Sequence, residues 1–190
     1  FEREARAGGL LTYGIAPMKL PQPVVARRAA FMQAEGVEFR LGCEITAENA
    51  AAQLAGFDLA IFACGAQEPR RLSWEQTPEH GVYYALEYLK AANLAVMEGG
   101  ESTLSAAGKD VVIIGAGDSA SDCAAMALRQ GCRSLCQLVR RPERNYPGAP
   151  DYAHEEALAR FGADIRCFET QALALEQDES GALCGVLCSD

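Results

Sequence analysis

The chain has 190 residues, 49% of them apolar and 23% charged, and carries a formal charge of −9. That length can bury a substantial core, and the balance is that of a soluble globular protein of one domain, or one and a part. The acidity argues against nucleic acid or an anionic membrane as a general partner, although a local basic patch can sit within the acidic average. No apolar run approaches the roughly 20 residues that cross a bilayer, and no signal-peptide pattern is present.

Eight cysteines stand at positions 43, 64, 123, 132, 136, 167, 184 and 188. None forms a C-x-x-C pair, and the Cys132/Cys136 and Cys184/Cys188 spacings fall short of an iron–sulfur ligand run. They read as reduced thiols used as small hydrophobes, which favours a reducing cytoplasm. The chain opens on FEREARAGGLL without Met and stops at GVLCSD just after a strand-like run, so it reads as a piece of a longer protein.

In chain order, PVVARRAAFMQAEG (23–36) has apolar residues at helical spacing and ends on Gly36, a natural stop. VEFRL then alternates like a strand, and FDLAIFACGA (57–66) reads as a buried parallel strand closing on a turn at Gly65. GVYYALEYLKAANLAVM (81–97) predicts an amphipathic helix, followed by a loop at EGGESTLSAAG. KDVVIIGAG predicts a second buried strand, then an alanine-rich helix runs to Arg129 with Gly131 as its stop. RSLCQLVRR is a further strand, DYAHEEALARFG (151–162) a helix and ADIRCFE a strand. ALALEQDESGALCGVL folds about its DESG turn as an antiparallel hairpin. Alternating strands and helices predict an α/β fold with a mainly parallel sheet.

Gly115, Ala116, Gly117, Asp118, Ser119 and Ala120 fit G-x-G-x-x-G/A between a strand and a helix. The first glycine permits a tight turn, the second lets backbone approach a pyrophosphate, and the small third residue lets the helix pack close to its strand. The N–H groups and positive dipole end of that helix then face an anion. A merely tight strand-to-helix turn is the alternative. After the next strand the chain reads LVRRPER, so Arg140, Arg141 and also Arg144 stand where an acid would bind a ribose 2′-hydroxyl. Arginine favours a 2′-phosphate and hence NADP(H) over NAD(H); an ordinary solvated basic loop is the bland alternative.

GGLLTYGIAPMKLP (8–21), DLAIFACGAQEPRRL (58–72) and GAGDSASDCAAMALRQG (115–131) resemble the small (beta) subunit of NADPH-dependent glutamate synthase. They are also similar to the flavin/NADPH part of dihydropyrimidine dehydrogenase. The resemblance implies a Rossmann-like NAD(P)H-binding domain over residues 76–190, inserted into an FAD-binding Rossmann-like domain of which residues 1–75 are a part. It implies that Glu2 binds the adenosine ribose of FAD, that Gly8, Gly9, Leu10 and Leu11 lie along the flavin, and that Cys64-Gly65-Ala66 is the turn leaving the FAD domain. It further implies NADP(H) and FAD as cofactors, hydride transfer between them, and electrons passed to iron–sulfur centres and a glutamate synthase large-type subunit. The alternatives are an electron-input subunit of another iron–sulfur complex, or a non-catalytic dinucleotide-binding scaffold.

The family's first FAD fingerprint, its late Gly-Asp segment and its cysteine clusters are not in this stretch, so the 190 residues are expected to be inactive by themselves. Cys64 stands where the family has threonine. No catalytic residue and no metal ligand is expected. His80 and His154 read as surface or capping residues, HEE at 154–156 lacks the zinc-site spacing, Asp122 reads as a structural anchor of its helix, and Trp74 as packing.

Overall fold

The computed structural model describes residues 1–66, 68–72, 80–143 and 152–189, with only the backbone of Tyr152. It is an α/β fold. Its elements are α1 (Leu10–Tyr13), α2 (Gln22–Ala34), α3 (Ala50–Leu54), α4 (Ala85–Glu98), β1 (Asp110–Ile114), α5 (Asp118–Gln130), β2 (Ser134–Val139), α6 (Tyr152–Phe161), β3 (Arg166–Phe168), β4 (Gln171–Gln177) and β5 (Leu183–Ser189).

Among the described residues, β1, β2 and β3 form a parallel sheet in that order, and β4 and β5 a separate antiparallel pair. In register, Val112 faces Cys136, Ile114 faces Leu138, and Leu138 faces Cys167. Parallel neighbours need a crossover, and α5 supplies the one between β1 and β2. Its alanines let it lie close to the sheet: Ala124 and Ala127 are wholly buried, with Leu128, Leu135, Ala153, Ala157 and Ile165 completing the core beneath α5 and α6. Gly131, at φ 85°, ends α5 in the left-handed region and accepts the role of stop.

A second core joins the N-terminal segment to this unit. Ala16, wholly buried, packs with Leu89 and Ala92 of α4 and with Cys123 and Met126 of α5. Asn93, also wholly buried, donates its Nδ2–H to the Tyr13 carbonyl at 3.0 Å. Lys90 Nζ lies 2.6 Å from Glu4 Oε1. Helix α4 is thus the wedge between residues 4–16 and α5.

Three expectations are corrected. Residues 37–41 form no strand; the chain there runs extended beside residues 2–4, with Glu2 N–H donating to the Arg40 carbonyl and Gly42 N–H to the Glu4 carbonyl. The run 57–66 is neither strand nor buried, and Leu59, Ile61 and Phe62 are 75%, 82% and 74% exposed. A parallel strand becomes buried only when strands and helices flank it, and nothing among the described residues does so here. Strand β1 is likewise a half-open edge, with Val112 and Ile114 exposed on the face away from α5.

The cysteine reading is also revised. Only Cys123 and Cys132 are buried; Cys64, Cys167 and Cys184 are exposed, and all eight are free thiols. Burial pushes the Cys123 thiol up to about 12, as befits an inert packing group. Trp74 and Arg144 lie outside the described residues.

Candidate functional site: the carboxyl end of the parallel sheet

The fingerprint sits where β1 hands over to α5. Gly115, at φ 138°, makes a turn that an L side chain resists, and its N–H donates to the Leu138 carbonyl at 3.1 Å. Its carbonyl is held by Gln137, whose Nε2–H donates at 2.9 Å. Gln137 is a polar side chain only 1% exposed, so its bond to Gly115 is what makes its burial tolerable. Sequence reasoning missed it. The available signal was one amide inside the apolar run SLCQLV.

Gly117 is the N-cap of α5, at φ −93° and ψ 177°, with no side-chain cap. A β-carbon added there meets nothing within 4 Å. Gly117 is therefore not required by local packing or by its backbone angles; its small size leaves open space at a helix start. Ala120 N–H turns back to the Gly117 carbonyl at 2.9 Å, whereas N–H groups earlier in the first turn have no carbonyl one turn before them. Gly117, Asp118 and Ser119 are exposed, while Ala120 is buried and sits 3.7 Å from where a Gly115 β-carbon would be. The small third residue does the close packing its spacing implied.

Arg140 and Arg141 follow β2 directly and are exposed. The Arg141 carbonyl accepts from Glu169 N–H at 3.3 Å and the Val139 carbonyl from Thr170 N–H at 3.2 Å, which ties the arginine loop to the end of β3. Two cationic side chains at the end of β2 and bare amides at the end of β1 thus share one edge of the sheet. Open parallel sheets bind ligands at that carboxyl edge. Both features bring positive charge to that edge, with acids nearby that oppose it, among them the Asp118 carboxylate in the first turn of α5 and Glu169 beside the arginine loop.

Of the remaining expected residues, Gly8 and Gly9 begin the turn into α1 at φ 115° and 51°. A β-carbon on Gly8 would come within 2.4 Å of Thr12 Oγ1, so only glycine fits. Leu10 and Leu11 are exposed apolar side chains, and Glu2 accepts from Glu4 N–H at 2.9 Å. Gly65 falls in the exposed 57–66 run, with its α-carbon open to space. His80 is exposed, and His154 Nδ1 lies 3.2 Å from Asp164, which pairs with the largely buried Arg166. That arginine, first by hydrogen bond, holds the Asp164 carboxyl below its usual range.

Asp122 proves to be more than a helix anchor. Its side chain is 7% exposed and lies 2.5 Å from Lys19 Nζ, so an ion pair links the Gly8–Leu20 segment to α5, four residues beyond the start of that helix.

A glycine turn from strand to helix at the carboxyl edge of a parallel sheet defines an α/β module of the Rossmann-like class. No family model matches the chain. Curated proteins do. The chain is 38% identical over 96% of its length to the glutamate synthase [NADPH] small chain of Bacillus subtilis, and 40% identical over 88% to that of Mycobacterium tuberculosis. It is 32% identical over 98% to the glutamate synthase [NADH] of Schizosaccharomyces pombe. Over most of its length the chain is a homologue of the glutamate synthase small chains. It spans 41% and 39% of the two small chains and 10% of the fission-yeast protein. No helix among the described residues is long and apolar enough to cross a membrane.

Proposed function

We propose that this chain is the NADPH-receiving part of a cytoplasmic flavoprotein oxidoreductase, with residues 76–190 forming the NAD(P)H-binding domain and residues 1–75 part of an FAD-binding domain. The partners are iron–sulfur centres and a glutamate synthase large-type subunit; glutamate formation is the reaction they serve. One observation carries the reading: an uncapped helix N-terminus at the end of β1, with Arg140 and Arg141 beside it at the end of β2.

When bound, NADPH supplies a hydride, and FAD accepts the pair of electrons and can release them singly. The chain's own residues bind and orient. The amides of residues 117–119 and the dipole of α5 receive the pyrophosphate. Gly117 leaves the space for its close approach, and Gln137 keeps the Gly115 peptide from turning its carbonyl toward the anion. Arg140 and Arg141 hold the 2′-phosphate. Exposed Leu10 and Leu11 are the apolar surface that a flat ring would cover, and no side chain need act as nucleophile or proton donor.

The arginines are the testable part of the cofactor choice, since the relatives include proteins named for NADPH and one named for NADH. In the full-length protein, Arg140→Ala and Arg141→Ala are each expected to lower the NADPH-over-NADH affinity ratio by about ten-fold, ~1.4 kcal/mol. Calorimetric titration with both nucleotides measures it. Equal affinities in the unmutated protein would remove the role given to the arginines. Purified full-length protein is expected to be yellow; colourless protein that FAD cannot reconstitute defeats the flavoprotein reading.

A further inference from the structure

Strands β2 and β3 place two thiols together on the sheet face opposite α5. Cys136 and Cys167 have their sulfurs 3.4 Å apart, within hydrogen-bonding range for thiols. Cys167 is the register partner of Leu138, so the pair is diagonal: Cys136 lies two residues back along β2 on the same face. Cys167 is exposed and Cys136 half-buried. Burial, then the hydrogen bond with Cys167, pushes the Cys136 thiol up to about 12. Either sulfur can donate to the other, and the exposed Cys167 sulfur is the one that a solute reaches first. Among the described residues no three metal-ligating side chains gather at one place.

We propose that Cys136 and Cys167 are an oxidisable thiol pair that closes reversibly into a cross-strand disulfide under hydroperoxide. The Cys167 sulfur attacks one peroxide oxygen, the O–O bond breaks, and water leaves, giving a sulfenic acid at Cys167. The Cys136 sulfur then attacks the Cys167 sulfur, the S–O bond breaks, and a second water leaves with the Cys136 proton. Two thiols are oxidised and one hydrogen peroxide is reduced to two waters.

A disulfide bond is about 2.0 Å long, so closure brings the two sulfurs together from 3.4 Å across the β2–β3 seam. The register pair that lies between the two cysteines is Gln137 opposite Arg166, and it feels any shift of that seam. Gln137 holds the Gly115 carbonyl from the other face of the sheet. Closure is therefore expected to weaken nucleotide binding several-fold, a consequence that rests on the function proposed above.

The test uses full-length protein treated with equimolar hydrogen peroxide, blocked with an alkylating reagent and mapped by peptide mass spectrometry. The expected product is a 136–167 linked peptide, two hydrogens lighter than its reduced halves, that dithiothreitol restores. Cys136→Ser is expected to leave a sulfenic acid at Cys167 that a dimedone probe captures, and Cys167→Ser to leave Cys136 reduced. Linkage of Cys167 to Cys188, or a Cys167 that remains alkylatable after treatment, overturns the proposal. Titration of the oxidised protein with NADPH reads the coupling separately. A disulfide that forms without changing an intact NADPH affinity overturns the coupling. If the disulfide forms and reduced protein binds no NADPH, the thiol pair stands and the nucleotide site fails.

Discussion

Gly117→Asp in the full-length protein is expected to lower NADPH affinity by roughly 100-fold, ~2.7 kcal/mol, without lowering thermal stability. The two effects separate because the position makes different demands on fold and ligand. Its backbone angles, φ −93° and ψ 177°, are open to any residue, and an added β-carbon meets nothing within 4 Å. Aspartate is among the best N-caps, a few tenths of a kcal/mol better than glycine. Its carboxylate would take the first-turn amides for itself and place a negative charge where the pyrophosphate must lie. Calorimetric titration and a melting curve on the same sample decide the matter. An unchanged affinity would mean that the loop is only a tight strand-to-helix turn. Gly115→Ala is the contrasting case: at φ 138° the backbone itself is strained by a side chain, so stability falls as well, by about 1–3 kcal/mol.

What could be read in advance follows from how far each feature depends on distant chain. Strand β1, helix α5 and the loop between them were legible because a short apolar run, two glycines and an alanine-rich segment are local signals. The same holds for the hairpin of β4 and β5 and for the stop at Gly131. The runs 37–41 and 57–66 have equally strand-like composition, yet pairing and burial come from neighbours, and the apolar side chains at 57–62 stand exposed. Gln137 was overlooked because its value lies in one bond to a glycine carbonyl just past the end of another strand. The Cys136–Cys167 approach was illegible for a similar reason: it depends on the register of β2 against β3. Lys19 carried no signal at all, since its partner is a residue of α5 reached only through tertiary packing.

That last pair supports the second large effect. Asp122→Ala is expected to destabilise the packing of residues 8–20 on α5 by ~2 kcal/mol. Removing one partner of a fully buried ion pair costs about 3–5 kcal/mol, and the smaller figure reflects a Lys19 side chain that keeps 31% of its surface in water. The loss is more than that of an ordinary surface pair because Asp122 is 7% exposed and sits beside Cys123 and Met126, where Ala16 seals the joint. Without the carboxylate, the ammonium must pull out to water and drag Met18 and Leu20 with it. Hydrogen exchange measures this where it occurs: Tyr13 and Ile15, whose N–H groups bond to Gly9 and Leu10 carbonyls, should exchange about 30-fold faster. Replacing both partners by apolar residues, Lys19→Met with Asp122→Leu, should recover most of the protection, because no unpaired charge is then left at the joint. Unchanged exchange in Asp122→Ala would show that the pair contributes nothing and that Ala16, Asn93 and α4 alone hold the N-terminal segment in place.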